Sequence, residues 1–190
     1  MIGAIGSTRK QRQAGMTLIE LMLAIAILAV GLVGVLALIL TAISGNNRNK
    51  MDSSATLLGQ MVMEKIAAQP ALAGAGFDIE DCKPVTPNTW HIATASAAAP
   101  GAGAGRVAAT GDIDWTATYA SVTADYKMKY VTCGANDQQA TYEVRWNIQT
   151  VNGFSKMITV GARPLGAQSS GGASIRMFAP PVLLRTIVSN

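Results

Sequence analysis

The sequence has little of the residues from which most catalytic and metal sites are built. It contains one histidine, His91, and two cysteines among 190 residues. These do not supply a zinc site, and no serine lies in a nucleophile-elbow pattern. An acid–base site at His91 would need a second titrating group beside it, and Asp112 and Asp114 in "GDIDW" are as typical of a solvated turn. We therefore expect no enzymatic activity, no cofactor and no metal ion.

Charged residues are also missing from a long N-terminal stretch. Between Leu21 and Ile43, Thr41 is the only polar residue. As a helix this stretch is roughly 34 Å long, which exceeds the ~30 Å hydrocarbon core of a bilayer. Glu20 lies directly before it, where an ionised carboxylate costs on the order of a few kcal/mol in hydrocarbon. That cost predicts either a partner or a function for Glu20.

The net positive charge has a local origin. Three of the 15 basic residues, Arg9, Lys10 and Arg12, precede the apolar run, and without them 12 basic and 11 acidic residues remain. Basic residues before a membrane span mark its cytoplasmic side, so we expect the rest of the chain to lie outside the cytoplasm. The charge therefore indicates targeting rather than a nucleic-acid ligand.

The two cysteines, Cys82 and Cys133, then lie on the side of the membrane that permits disulfides. An even pair in an exported domain favours a disulfide over a metal site. Closing this loop would stabilise the domain by roughly 4 kcal/mol in the chain-entropy model. The alternative is two buried thiols.

The residues at the start of the apolar run form a distinctive signal. Residues 12–15, "RQAG", are followed by "MTLIE" at 16–20. This order of basic leader, glycine, Thr-Leu-Ile-Glu and long apolar helix resembles the prepilin processing signal of type IV pilins and type II secretion pseudopilins. A secretory signal peptide instead places its cleavage site after the apolar stretch. Met16 departs from the family's usual phenylalanine, but it is also apolar.

The resemblance implies that a membrane peptidase cuts after Gly15 and methylates the new amine of Met16. Glu20 then matches the family's glutamate at the fifth position of the mature chain. An amine and a carboxylate within about 4–6 Å favour each other's charged forms. In the family, the glutamate of an incoming subunit meets the amine of a subunit already in the fibre, which lowers the cost of leaving the bilayer. The alternative for Glu20 is an interfacial carboxylate that reaches the headgroups.

Within the family, the apolar helix resembles that of minor pilins of the PilV type and of the I-type pseudopilin. Gly31 and Gly34 bracket "GLVG", and Ala37 stands where many major pilins have a helix-kinking proline. The resemblance implies a minor pilin incorporated in a type IV pilus, in a priming or tip complex that supports pilus assembly. The alternative is an I-type pseudopilin of a type II secretion system, although those tend to be shorter. A minor pilin that binds DNA or a surface ligand is a hypothesis of another class, which scattered basic residues do not favour.

The resemblance also implies partners and a location. The partners are other minor and major pilin subunits, the prepilin peptidase, the inner-membrane pilus assembly platform and membrane lipid. The expected location is the bacterial inner membrane, as a single-pass protein with its C-terminal domain in the periplasm, and then the cell-surface pilus.

Composition and periodicity divide the chain into segments. Met51, Ala55, Leu58, Val62 and Ile66 recur on one helical face, which predicts that the helix continues until Pro70 ends it. Two stretches rich in small residues, 93–111 and 165–174, predict a flexible loop and a linker. The predicted organisation is a prepilin leader at 1–15, a transmembrane and assembly helix at 16–43, its amphipathic continuation at 44–70 and a pilin-like globular domain at 71–190.

Two segments carry the strongest strand signals. "DYKMKYVTC" is one, and in "TYEVRWNIQTVNGFSKMITVGA" residues 142–148 alternate between apolar and polar, as for a strand with one buried face. A three-residue loop at 151–153 is favoured over a two-residue Asn-Gly loop, because it gathers the large apolar groups on one face. It would place Trp146 opposite Ile158.

The C-terminal segment "IRMFAPPVLLRTIVSN" leaves two interpretations open. It is either a last strand, which its prolines keep from a central position, or an exposed apolar patch that binds another subunit. The whole pattern predicts an α+β fold, with an antiparallel sheet packed on the long helix. The pilin resemblance implies the same fold.

Overall fold

The computed structural model describes residues 17–69, 76–96, 107–108, 110–134, 139–165 and 180–189. It has one long N-terminal helix and antiparallel sheets, which confirms the predicted α+β, pilin-like architecture. The chain divides into two compact units, Met1–Gly45 and Asn46–Asn190. The predicted leader at 1–15, and most of the predicted loop at 93–111 and linker at 165–174, lie outside the described residues.

The helix α1 spans Leu18–Ala67 and is unbroken through its glycines. Its part in the second unit buries the face that the sequence predicts, except that Met51 is only half-buried. The helix ends three residues before Pro70, in keeping with the steric restriction that a proline places on the residue before it. Its buried residues are Ala55, Leu58, Gly59, Val62 and Ile66.

A lysine from a strand closes the C-terminal end of α1. The Nζ atom of Lys156 donates hydrogen bonds to the carbonyl oxygens of Ile66 at 3.0 Å and Gln69 at 2.8 Å. The last carbonyls of a helix have no partner within it and carry partial negative charge, so a cation is stabilising there. Lys156 is fully buried, and burial lowers the pKa of its ammonium group.

The strands form two antiparallel sheets. One has two short strands, and the other has four strands in chain order, so that β6 is an edge strand. The core lies between α1 and one face of the four-stranded sheet. The strand interpretation of the C-terminal segment is therefore correct, whereas the short hairpin of β1 and β2 was not predicted. The strands are β1 Phe77–Glu80, β2 Thr89–Ile92, β3 Lys127–Val131, β4 Thr141–Asn152, β5 Ser155–Pro164 and β6 Val182–Ser189.

The predicted register of the β4–β5 hairpin is wrong by two residues. Trp146 pairs with Val160, not with Ile158. The turn lies at 153–154, and a bulge at Val151 adds one residue to β4. Because of this extra residue, apolar residues of β4 still pair with apolar residues of β5, and their large side chains share one face of the sheet.

The second face of β4 is also buried, contrary to the prediction of one exposed face. Glu143, Arg145 and Asn147 are each at most 2% exposed. A segment that we call the strap, residues 110–122, covers this outer face; for example, its Trp115 lies against Gly161 of β5. Alternation along a strand cannot reveal what a segment distant in sequence will cover.

Candidate functional site

The predicted assembly residue Glu20 lies in the first turn of α1. The hydroxyl oxygen of Thr17, which directly precedes the helix, accepts a hydrogen bond from the backbone N–H of Glu20 at 3.4 Å. In return, the backbone N–H and the hydroxyl of Thr17 each donate to Oε2 of Glu20 at 3.4 Å. This reciprocal pattern is a capping box, which satisfies N–H groups that have no partner within the helix. The Thr-x-x-Glu spacing of residues 17–20 is the signature of this motif and could have predicted it from the sequence.

The capping box determines where the Glu20 carboxylate is held. The positive end of the helix dipole favours a negative charge in the first turn. The hydrogen bonds to Thr17 hold the carboxylate at the helix start rather than along the apolar surface. Gly15 and Met16 lie outside the described residues, but Met16 is adjacent to Thr17 in the sequence. The predicted N-terminal amine of Met16 therefore belongs to the residue directly before Thr17, which the Glu20 carboxylate contacts.

After Glu20, the surface of α1 is apolar and exposed throughout the first unit. Its large side chains remain uncovered, with Val30 at 75% and Leu38 at 72% exposure. The hydroxyl of Thr41 donates to the carbonyl oxygen of Ala37 at 2.9 Å, so the helix itself satisfies this donor. By length and composition the helix can cross a membrane. A surface of this kind requires lipid or an apolar partner.

Cys82 and Cys133 are joined in a disulfide, with their Cα atoms 4.9 Å apart. Cys82 follows β1 and Cys133 follows β3, so the bond ties the two-stranded sheet to the four-stranded one. The backbone N–H of Cys82 also donates to the carbonyl oxygen of Val131 at 3.0 Å. The structure therefore has the disulfide that the sequence favours, rather than two buried thiols.

Asp81, next to the disulfide, organises the turn between β1 and β2. Its Oδ1 accepts from the backbone N–H groups of Lys83 and Asn88, at 3.2 and 2.7 Å. Its Oδ2 accepts from the side-chain amide of Asn88 at 2.8 Å and the indole of Trp90 at 3.4 Å. Burial acts to raise the pKa of the Asp81 carboxyl, but these hydrogen bonds together outweigh it and hold the pKa below its usual 3.8.

His91 has the neighbouring titrating group that the sequence could not supply. Its Nδ1 lies 2.6 Å from Oδ1 of Asp78, its pairing partner across β1 and β2, and both residues are exposed. A cross-strand hydrogen bond between two paired residues explains this contact without catalysis. An acid–base site would in addition need a reacting group placed beside the pair. The absence of enzymatic activity therefore stays a prediction.

The other candidate acids have structural contacts in the strap. Asp112 lies 3.4 Å from Nη2 of Arg185. Oδ1 of Asp114 accepts hydrogen bonds from the backbone N–H and the hydroxyl of Thr116, at 2.9 and 2.5 Å. Within the part of the chain that the structure describes, no group of three or more acidic, histidine or cysteine residues could hold a metal ion.

The structure brings together basic residues that are scattered in the sequence, and each of them bonds to another group of the chain. Lys127, Arg145, Arg163 and Arg185 come from the four successive strands β3 to β6. Arg145 is fully buried, and both it and Arg163 donate to the Glu143 carboxylate. Lys127 and Arg185 donate to backbone carbonyls of the strap. This arrangement differs from the free basic surface that nucleic-acid binding requires.

Comparison with known families gives a match at the N-terminal end of the chain. Residues 10–36 match the family described as "Prokaryotic N-terminal methylation motif". No curated protein and no solved structure matches the chain. The motif supports a type IV pilin-like protein, either a pilin or a pseudopilin. It implies processing by the prepilin peptidase and incorporation with other pilins, and together with the apolar helix it fits anchoring in the inner membrane.

Proposed function

We propose that this chain is a minor pilin of the PilV type, incorporated at low copy in a type IV pilus within a priming or tip complex. The observation that carries the proposal is the start of α1, where a Thr-x-x-Glu capping box opens a helix whose apolar surface is exposed. The match to the methylation motif covers the same residues. The PilV assignment rests on Gly31 and Gly34, and on Ala37 in place of a proline.

In this function, Gly15 is the residue before the scissile bond and Met16 becomes the methylated N-terminus. Glu20 pairs with the amine of a neighbouring subunit when the helix leaves the bilayer for the fibre, so that neither charge enters an apolar environment alone. Before assembly the first unit crosses the inner membrane, and the second unit lies in the periplasm. Arg9, Lys10 and Arg12 on the cytoplasmic side support this orientation.

The proposed function is not enzymatic. It requires a defined helix start at Thr17 and Glu20 and a stable folded second unit, and it requires no cofactor. An I-type pseudopilin of a type II secretion system would use the same N-terminal segment and remains the alternative within this machinery. Capture of DNA is less favoured, because Arg145 and Lys127 are engaged by the strap and by Glu143.

The first experiment is a mass-spectrometric map of the N-terminal peptide, from the membrane fraction of the native host. We expect a peptide that begins at Met16 and carries one added methyl group. An intact Met1, or a start beyond Ile43, would contradict the proposal. The matched control is Gly15→Ala, which removes the predicted cleavage site and should leave an unprocessed chain in the membrane.

A second experiment separates the pilus from the secretion system. Surface fibres are sheared from the cells and the chain is quantified against the major subunit. The minor-pilin proposal expects a substoichiometric amount in the fibres and a loss of piliation when the gene is deleted. Normal piliation together with a defect in protein secretion would instead support the pseudopilin.

A further inference from the structure

The strap, residues 110–122, crosses the outer face of the four-stranded sheet from one edge to the other. At the β6 edge, Nη2 of Arg185 donates to the carbonyl oxygen of Gly111 at 2.5 Å. At the β3 edge, Nζ of Lys127 donates to the carbonyl oxygens of Tyr119 at 2.7 Å and Val122 at 2.6 Å. The strap therefore contacts the first and last strands of the sheet through the same chemistry, a cationic side chain that binds backbone carbonyl groups.

The middle of the strap is fixed by buried contacts. Nη1 of Arg145 donates to the carbonyl oxygens of Asp114 and Ala117, both at 2.9 Å. The centroid of the Trp115 ring lies 5.0 Å from Cζ of Arg145 and 4.6 Å from Cζ of Arg163, so the ring contacts both guanidinium groups. Charge-assisted hydrogen bonds and cation–π contacts are strongest where water is excluded. The centre of the strap is thus a firm anchor on β4 and β5.

The close approach of the strap to β5 depends on a glycine. A Cβ atom at Gly161 would lie 2.8 Å from Cζ2 of Trp115 and 3.1 Å from Cγ1 of Ile113. A second glycine shapes the β6 end, since Gly111 has a φ of +85°, which side chains rarely permit. Its carbonyl oxygen faces Arg185 in that conformation.

The contact at β6 is the exposed end of the strap. The side chain of Arg185 is 38% exposed and that of Asp112 is 53% exposed, whereas Arg145 is fully buried. Along β6 no residue is fully buried, because its side chains alternate between half-buried and exposed. An edge strand with so little burial has low local stability of its own. On its inner side β6 is held by pairing with β5 and by core contacts of Val182 and Val188, and on its outer side Arg185 joins it to the strap.

We propose that the strap and β6 form one cooperative opening unit, with Arg185 as the latch that joins them. When the contact between Arg185 and the Gly111 carbonyl opens, β6 separates from β5 more often and the β6 end of the strap loosens with it. Opening exposes the edge of β5 and the apolar residues of β6, while the anchor at Arg145 keeps the rest of the sheet closed. This inference concerns the second unit, and it holds whichever assembly the chain joins.

The test is hydrogen–deuterium exchange of the full chain in detergent micelles, read by mass spectrometry on peptides from β6 and from the strap. Arg185→Ala removes the latch from the strand side. Gly111→Ala disturbs it from the strap side, because its φ of +85° disfavours a side chain and its Cβ would lie 3.0 Å from Nη2 of Arg185, while the sequence of β6 is unchanged. We expect each variant to accelerate exchange in both segments by roughly fivefold or more, while β3 and β4 keep the wild-type rate. Arg48→Ala removes an exposed arginine that pairs with Asp52 on α1, and it is the matched control.

Two results would overturn the proposal. If Gly111→Ala accelerates exchange in the strap while β6 keeps the wild-type rate, the two segments open independently. If either variant accelerates exchange equally in all four strands, Arg185 and Gly111 contribute to global stability rather than to a local latch. Arg185→Lys keeps the positive charge but not the planar guanidinium group. For this variant we expect exchange in β6 and the strap that is faster than in the wild type and slower than in Arg185→Ala.

Discussion

The two units of the chain place opposite kinds of side chain in unusual surroundings. In the first unit, the apolar side chains of α1 are exposed along its whole length. In the second unit, the charged residues Glu143, Arg145 and Lys156 are at most 1% exposed. Exposed apolar surface and buried charge both cost free energy unless something compensates them. The difference between the units lies in where that compensation comes from.

The second unit compensates its buried charges from within the chain. Glu143 is bound by Arg145 and Arg163, and Lys156 is bound by carbonyl groups at the end of α1. The first unit has no such internal cover among the described residues, so its partner is lipid or another protein. Changes in the first unit should therefore alter location and assembly without altering the fold. Changes in the second unit should alter the stability of the fold without altering location in the membrane.

The largest expected effect is on assembly, at Glu20. Glu20→Ala should leave the amount of membrane-bound chain unchanged but reduce its incorporation into fibres by more than about tenfold. Without Glu20, the N-terminal amine of the neighbouring subunit would enter an apolar interface unpaired, which costs about a few kcal/mol. The measurement is the ratio of this chain in sheared fibres to this chain in the membrane fraction.

Glu20→Gln is the matched control, because a glutamine can still complete a capping box but carries no charge. If charge pairing drives incorporation, Glu20→Gln is as defective as Glu20→Ala. Normal incorporation of Glu20→Gln would contradict the pairing and assign the role of Glu20 to the capping of α1.

The features that could be predicted from the sequence depend on residues that are close together in the chain. The apolar stretch of α1 and its buried face from Ala55 to Ile66 follow from composition and from the 3.6-residue period. Pro180 and Pro181 disfavour a central position for any strand in the C-terminal segment, and β6 is an edge strand. In each case a local physical preference decides the outcome.

The features that could not be predicted depend on long-range packing. The strap carries no periodic signal, and the burial of Arg145 arises only when the strap crosses β4. The register of the β4–β5 hairpin depends on a bulge at Val151, and both registers would have put the same apolar face on α1. The strands β1 and β2 have four residues each, too few for a periodicity signal.

The next largest effect is on folding, at the disulfide. Replacing both Cys82 and Cys133 with alanine should lower the free energy of unfolding of the second unit by about 4 kcal/mol, because the open loop has more conformational freedom when unfolded. Urea titration of the full chain in micelles, with and without a reductant, gives the measurement. The wild type should respond to the reductant and the double variant should not, while both remain in the membrane fraction. A double variant as stable as the wild type would show that the bond does not stabilise the domain.

A smaller effect is expected at the buried ion pair. Arg145→Met should lower the free energy of unfolding by about 3 kcal/mol, because it removes one partner from the buried Glu143 and leaves the carbonyls of Asp114 and Ala117 without their donor. Arg163→Met is the control, since this side chain is 32% exposed and its loss should cost about 1 kcal/mol. Urea titration of both variants gives the comparison. Equal losses for the two variants would mean that burial does not set the strength of these contacts.

The smallest effect is expected at Asp81 and depends on pH. The folded-state pKa of Asp81 lies below its usual 3.8, so its contribution to stability is fully present above pH 3.8 and is lost as the pH falls through the folded-state value. Asp81→Asn should cost about 1 kcal/mol at pH 7, because an amide nitrogen would face the donors of Asn88 and Trp90. The difference in unfolding free energy between the wild type and the variant should shrink on acidification. A difference that stays constant from pH 7 to pH 3 would show that the packing of the Asp81 side chain, and not its charge, stabilises the β1–β2 turn.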